Sequence, residues 1–138
     1  MLSIGDLAKR AQVKIPTIRY YESIGLIAPA ERTEGNQRRY SIEGLERLSF
    51  IKHARDLGFS IESISSLITL QEHPDRSCYE ATKIAEVQLD KVQQKIKKLR
   101  LLEQELSRIS TGCRGEGVSE NCYVLSSLAD HKLCDQEH

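Results

Sequence analysis

Near the start of the chain Ile4, Leu7, Ala8 and Val13 form a narrow apolar stripe, with Leu7 and Ala8 three and four residues after Ile4. Ser3 followed by Asp6 makes a capping-box-like start, so a first helix is predicted over residues 3–11. After a turn at Gln12-Val13 a second helix can begin near Ile15, with Pro16 tolerated in its first turn and Gly25 as a left-handed stop. Two short helices joined this tightly predict a helix-turn-helix. The helical period then lapses. Pro29, Gly35 and Asn36 precede Arg38, Arg39 and Tyr40, and turn formers followed by a basic, aromatic strand predict a small β-hairpin wing. Ser41 is placed to cap a third helix to about Leu57, with Gly58 as its stop, and Ser60 a fourth to about Leu70. Leu45, Leu48, Ile51 and Ile64 fall at core positions.

The next element is longer. Ser77 and Glu80 form a second capping box, S-C-Y-E, and neither Gly nor Pro follows until Gly112. Ala85, Leu89, Val92, Ile96 and Leu99 alternate four- and three-residue steps, and Leu102, Leu106 and Ile109 continue the stripe. Flanked by Lys, Gln and Glu, this is a coiled-coil seam that needs a partner helix, hence a homodimer. A short apolar helix is predicted from Tyr123 to Leu128. The fold class is therefore mainly α: a winged helix-turn-helix domain over 1–75, a dimerisation helix over 76–111, and a loop with a tail over 112–138.

With 138 residues, 39% hydrophobic, only two Phe and no Trp, the chain suits one small domain plus an extension. No apolar run approaches the roughly 18 residues of a membrane span, and no export signal is evident, so a cytoplasmic protein without a membrane partner is expected. In that compartment four cysteines suit ligands or sensors better than structural disulfides. The net charge of zero conceals an asymmetry: residues 1–55 carry ten Lys/Arg against six Asp/Glu, and 56–138 carry ten against fourteen. A basic N-terminal module can follow a phosphate backbone while the acidic remainder stays away from it. The second helix carries Lys14, Thr17, Arg19, Tyr20 and Tyr21, residue types suited to base edges and phosphates, and the wing adds Arg38 and Arg39.

Cys78 stands thirty-five residues before Cys113, at the opposite end of the long helix, and Cys122 nine residues after Cys113. A helix of ~30 residues spans roughly 45 Å, so Cys78 cannot meet the other two in its own chain. In an antiparallel dimer it can meet those of the partner protomer, and three thiols converge at each end of the pair. Thiolates are soft ligands for zinc, cadmium, lead and mercury and for monovalent copper, and the positive end of a helix dipole at Cys78 favours an anionic ligand. Three thiolates leave a smaller net charge around a divalent ion than around a monovalent one, so burial favours the divalent ion. Gly115 and Gly117 allow the loop to wrap it. His131 and Cys134, three residues apart, would share a helical face and could complete or add a site.

The ordered elements IGxLA, TIRYYExxGL, the R-x-x-G-x-x-R-x-Y wing and RLxFIxxARxLGFS resemble the DNA-binding half of the MerR family of transcriptional regulators, and the long helix and cysteine loop are similar to its metal-responsive members. The resemblance implies a homodimer on a palindromic operator within an overlong promoter spacer. On binding its effector such a protein twists and bends the DNA and realigns the promoter for RNA polymerase. It also implies DNA contacts from Lys14, Thr17, Arg19, Tyr20 and Tyr21 on the recognition helix, from Arg38 and Tyr40 on the wing, and from Lys52, His53 and Arg55 on a second contact helix. Members that sense divalent ions have a cysteine at the position of Cys78, copper types do not, and the spacings here look like those of lead-, cadmium- and mercury-responsive members. Zinc types usually carry a further loop cysteine and a loop histidine, for which His131 or Cys134 could substitute. A thiol-based redox sensor of the same fold is the alternative. An enzyme is not expected, because no acid–base constellation accompanies the cysteines.

Overall fold

The computed structural model describes residues 1–112 and 122–129. It is mainly helical and divides into two compact units, Met1–Ile84 and Ala85–His138.

The first unit opens with α1 (Ile4–Ala11), where the Ser3 hydroxyl accepts from the Asp6 amide at 3.1 Å. Gln12 takes a left-handed conformation at φ 57°, and the Val13 amide then bonds back to the Ala8 carbonyl at 3.1 Å. That sharp stop turns the chain straight into α2 (Ile15–Ser23), whose second residue is Pro16, where no helical amide is needed. Gly25, at φ 81°, ends α2 in the backbone region that side chains disfavour, and the Leu26 amide closes on Tyr21 O at 2.9 Å.

The wing is a two-stranded antiparallel hairpin of β1 (Glu31–Arg32) and β2 (Arg38–Arg39), with Glu31 opposite Arg39 and Arg32 opposite Arg38. At its tip Asn36, not Gly35, takes the left-handed position at φ 62°. Arg32 Nη1 donates to Asn36 Oδ1 at 3.1 Å, a local bond of the kind that lets asparagine tolerate this region. The chain's beginning lies along the base of the wing, where Leu2 and Tyr40 exchange both backbone hydrogen bonds at 2.8 and 2.7 Å.

Two capped helices complete this unit. The Ser41 hydroxyl accepts from Gly44 N to start α3 (Ile42–Asp56), and Ser60 accepts from Ser63 N to start α4 (Ile61–Gln71), both at 3.1 Å. Between them Gly58 turns at φ 88°, and Arg55 braces the turn by donating to the Phe59 carbonyl at 2.8 Å. Leu7, Ile18, Leu48, Ile51 and Ile64 are wholly buried and bring α1 to α4 onto one core. Each such side chain contributes about 1.5–3 kcal/mol by leaving water.

The second unit contains most of α5 (Tyr79–Thr111) and α6 (Tyr123–Ala129). At the start of α5 the Ser77 hydroxyl accepts from the Tyr79 amide at 3.0 Å, one residue earlier than the capping-box pattern predicts. Along the helix Leu89, Val92, Ile96, Leu99 and Leu106 are exposed, and of the predicted seam only Ile109 is buried.

Candidate nucleic-acid interface and sensor cysteines

The second helix of the helix-turn-helix separates its residues by face. Lys14, Arg19 and Tyr20 are exposed and Thr17 is half-buried, whereas Ile18 and Tyr21, three residues apart, turn inward together. Tyr20 is 52% exposed and leans on the Tyr21 ring at 5.9 Å between centroids, so the buried tyrosine steadies the exposed one. On the wing, Arg38 is exposed, and Arg39 is half-buried with Nη2 donating to Gln37 Oε1 at 2.7 Å. Exposed cations on a recognition helix and on a wing are the groups that can follow a phosphate backbone.

Two expected contact residues are largely buried: Tyr21 is 7% exposed and Tyr40 3%, both within the core cluster. The cause for Tyr21 is its helical spacing from Ile18. For Tyr40 it is the backbone pairing with Leu2, which draws the ring inward. Of the second contact helix, His53 is exposed, Lys52 forms an ion pair with Asp56 at 2.9 Å, and Arg55 is the turn brace.

A residue to which the motifs gave no role, the glutamate of TIRYYExxGL, links the parts. Glu22, in the last turn of α2, accepts the Ala30 amide at 2.7 Å through Oε1, and the Tyr40 hydroxyl donates to the same carboxylate at 3.3 and 3.4 Å. One side chain thus ties the recognition helix to both ends of the wing. Burial chiefly, and then the Glu22 charge and hydrogen bond, push the Tyr40 phenol above its ordinary value, against the opposing pull of Arg38 and Arg19. The sequence signal for this strut is the glutamate of TIRYYExxGL, in the last turn of a helix followed by a basic hairpin.

Among the predicted ligands, Cys78 is exposed immediately before α5, with Sγ 3.8 Å from the Thr82 hydroxyl, and its carbonyl accepts from the Thr82 amide at 3.0 Å. Cys122 is half-buried immediately before α6, where its carbonyl accepts from the Ser126 amide at 3.0 Å. Cys113, His131 and Cys134 lie outside the described residues. Among the described residues no three metal-ligating side chains are grouped, and no helix is long and apolar enough to cross a membrane.

Comparison with known proteins agrees with this architecture. Residues 2–71 match the family described as MerR HTH family regulatory protein, and residues 45–109 match that described as MerR, DNA binding. The chain is 40% identical over 130 residues to the HTH-type transcriptional regulator ZntR of Escherichia coli K12, covering 93% of this chain and 92% of that protein. It is 34% identical to the mercuric resistance operon regulatory protein of Serratia marcescens, over 95% of this chain and 90% of that one. The transcription regulator PbrR691 from Ralstonia metallidurans CH34, solved in complex with lead(II), superposes with a TM-score of 0.77 at 36% identity, covering 93% of this chain and 99% of that one. By sequence and by fold, this chain belongs to the MerR family of transcriptional regulators.

Proposed function

We propose that the chain is a homodimeric, metal-responsive activator of heavy-metal resistance or efflux genes. Each protomer reads half of a palindromic operator with Arg19, Lys14, Thr17 and Tyr20 on α2 and with Arg38 and Arg39 on the wing. His53 and, after exchange from its ion pair, Lys52 add phosphate contacts from α3. Tyr21 and Tyr40 support this face from beneath.

The observation that carries the sensing half is the placement of the cysteines. Cys78 immediately precedes the 33-residue α5, and Cys122 immediately precedes α6. With the exposed apolar seam of α5 covered by a second copy running antiparallel, Cys78 of one protomer joins Cys113 and Cys122 of its partner. Three thiolates suit a soft divalent ion, and the named relatives for mercury resistance and with bound lead support that class among cadmium, lead, mercury and zinc. His131 and Cys134 are available as additional donors.

Distorting a promoter spacer costs several kcal/mol of DNA deformation, so the ion must favour the distorted complex by a comparable difference in free energy. The thiolates supply that difference by binding more tightly in the dimer arrangement that bends the DNA, and RNA polymerase then engages the realigned promoter.

The test is a competitive titration of the reduced, anaerobic protein with zinc, cadmium, lead and mercury, following thiolate-to-metal absorption. One tight ion per protomer, lost in Cys78→Ser, is expected. Weak uptake of every metal, together with activation by oxidant, would replace this reading with redox sensing.

A further inference from the structure

The geometry at the end of α5 points to a latch, formed by Tyr123 and Arg108 on Gly112, that favours metal binding by holding together the residues flanking the Cys113 and Cys122 positions. This rests on the metal-sensing reading above and assigns it two positioning residues. Arg108 engages both Glu105 and Tyr123: Nε donates to Glu105 Oε2 at 3.2 Å, Nη2 bonds to Glu105 Oε1, and Nη1 bonds to the Tyr123 hydroxyl. Its guanidinium also sits 5.6 Å from the centroid of the Tyr123 ring. Glu105 is only 5% exposed, and a carboxylate so enclosed needs a charged partner held in place.

The Tyr123 ring also explains Gly112. A methyl group at that position would overlap the ring, so the ring occupies the space that a side chain would otherwise fill. Gly112 directly precedes Cys113, and Tyr123 directly follows Cys122. The contacting pair is therefore the last residue before one thiol and the first after the other. With that pair already in contact before any ion arrives, binding no longer has to meet the entropy of bringing the two flanks together. The hydrogen bond from the Ser126 amide to the Cys122 carbonyl holds the second thiol's backbone at the start of α6.

The experiment measures cadmium affinity of the reduced full-length protein by competition with a chromophoric chelator, for Tyr123→Ala, Tyr123→Phe, Gly112→Ala and Cys122→Ser. Tyr123→Ala and Gly112→Ala should lower affinity by about 10- to 100-fold, the range for residues that orient metal ligands. Their thiolate-to-cadmium absorption per bound ion and their metal-free operator affinity should match the parent. Tyr123→Phe, which keeps the ring on Gly112 and loses only the hydroxyl bond, should fall between. Parent-like cadmium binding in Tyr123→Ala and Gly112→Ala, with binding lost in Cys122→Ser, would overturn the latch and leave the sensing site standing. Parent-like binding in Cys122→Ser would remove the site itself, and the latch with it.

Discussion

At the scale of single residues, the carboxylate of Glu22 does most to define the reading face. It accepts the Ala30 amide eight residues on and the Tyr40 hydroxyl eighteen residues on, so it sets the wing against α2 without touching either strand's ladder. Hydrogen bonds to a charged group are worth about 1.5–3 kcal/mol, and Glu22→Ala should destabilise the fold by that amount. It should also flatten the dependence of operator affinity on salt, by about 0.9 in slope for each phosphate that the wing no longer reaches. An unchanged slope by fluorescence anisotropy would deny the strut its role in DNA binding. Tyr40 carries a separate pH signature. Because its phenol is raised in the fold, the folded chain holds that proton more tightly than the unfolded chain. The resulting stability is complete below the ordinary tyrosine value near 10 and is lost as pH rises through the raised folded value. Urea unfolding between about pH 9 and pH 11 should show this alkaline loss in the parent and less of it in Tyr40→Phe. Equal losses in the two proteins would place its origin elsewhere.

At the scale of elements, short-range signals and long-range packing divide cleanly. The hydroxyl caps at Ser3, Ser41 and Ser60 and the left-handed stops at Gly25 and Gly58 sit where their residue types predict, because each acts over a few residues. The tip of the wing was less legible: Gly35 and Asn36 both suit a left-handed turn, and the Arg32 bond selects Asn36. The seam of α5 was legible as a period, and its exposure makes the period consequential. Leu99 is 63% exposed and Ile96 43%, and burying side chains of this size is worth about 1.5–3 kcal/mol each. Replacing both with glutamate should convert the proposed dimer to monomer in sedimentation equilibrium at micromolar concentration, while circular dichroism keeps the helical signal of the N-terminal unit. A dimer that survives both changes would require a different interface.

At the scale of the whole molecule, the proposed DNA-reading groups and Cys78 fall within Met1–Ile84, and the sequence positions of Cys113 and Cys122 within Ala85–His138, so the proposed ligands are separate residues from the reading groups. Variants should therefore separate. Cys78→Ser, Cys113→Ser and Cys122→Ser should each abolish induction by metal in a reporter assay and leave operator affinity within about 2-fold of the parent, as expected of changes that spare the DNA-reading groups. Arg19→Ala should weaken operator binding with and without metal, by about 1–3 kcal/mol if it reads a base edge. Loss of operator binding in the metal-free cysteine variants would contradict this division.

The order of motifs, the caps, the helical periods and the cysteine spacing are local properties, and they were enough to assign the family, the winged helix-turn-helix and the long helix from residue types alone. Packing was needed to separate Tyr20 from Tyr21, to turn Tyr40 inward and to recruit Glu22. It was needed again to seat Tyr123 on Gly112. In each case the outcome depends on which side chain fills a space built by residues distant in the chain, and a periodic pattern carries no record of that partner.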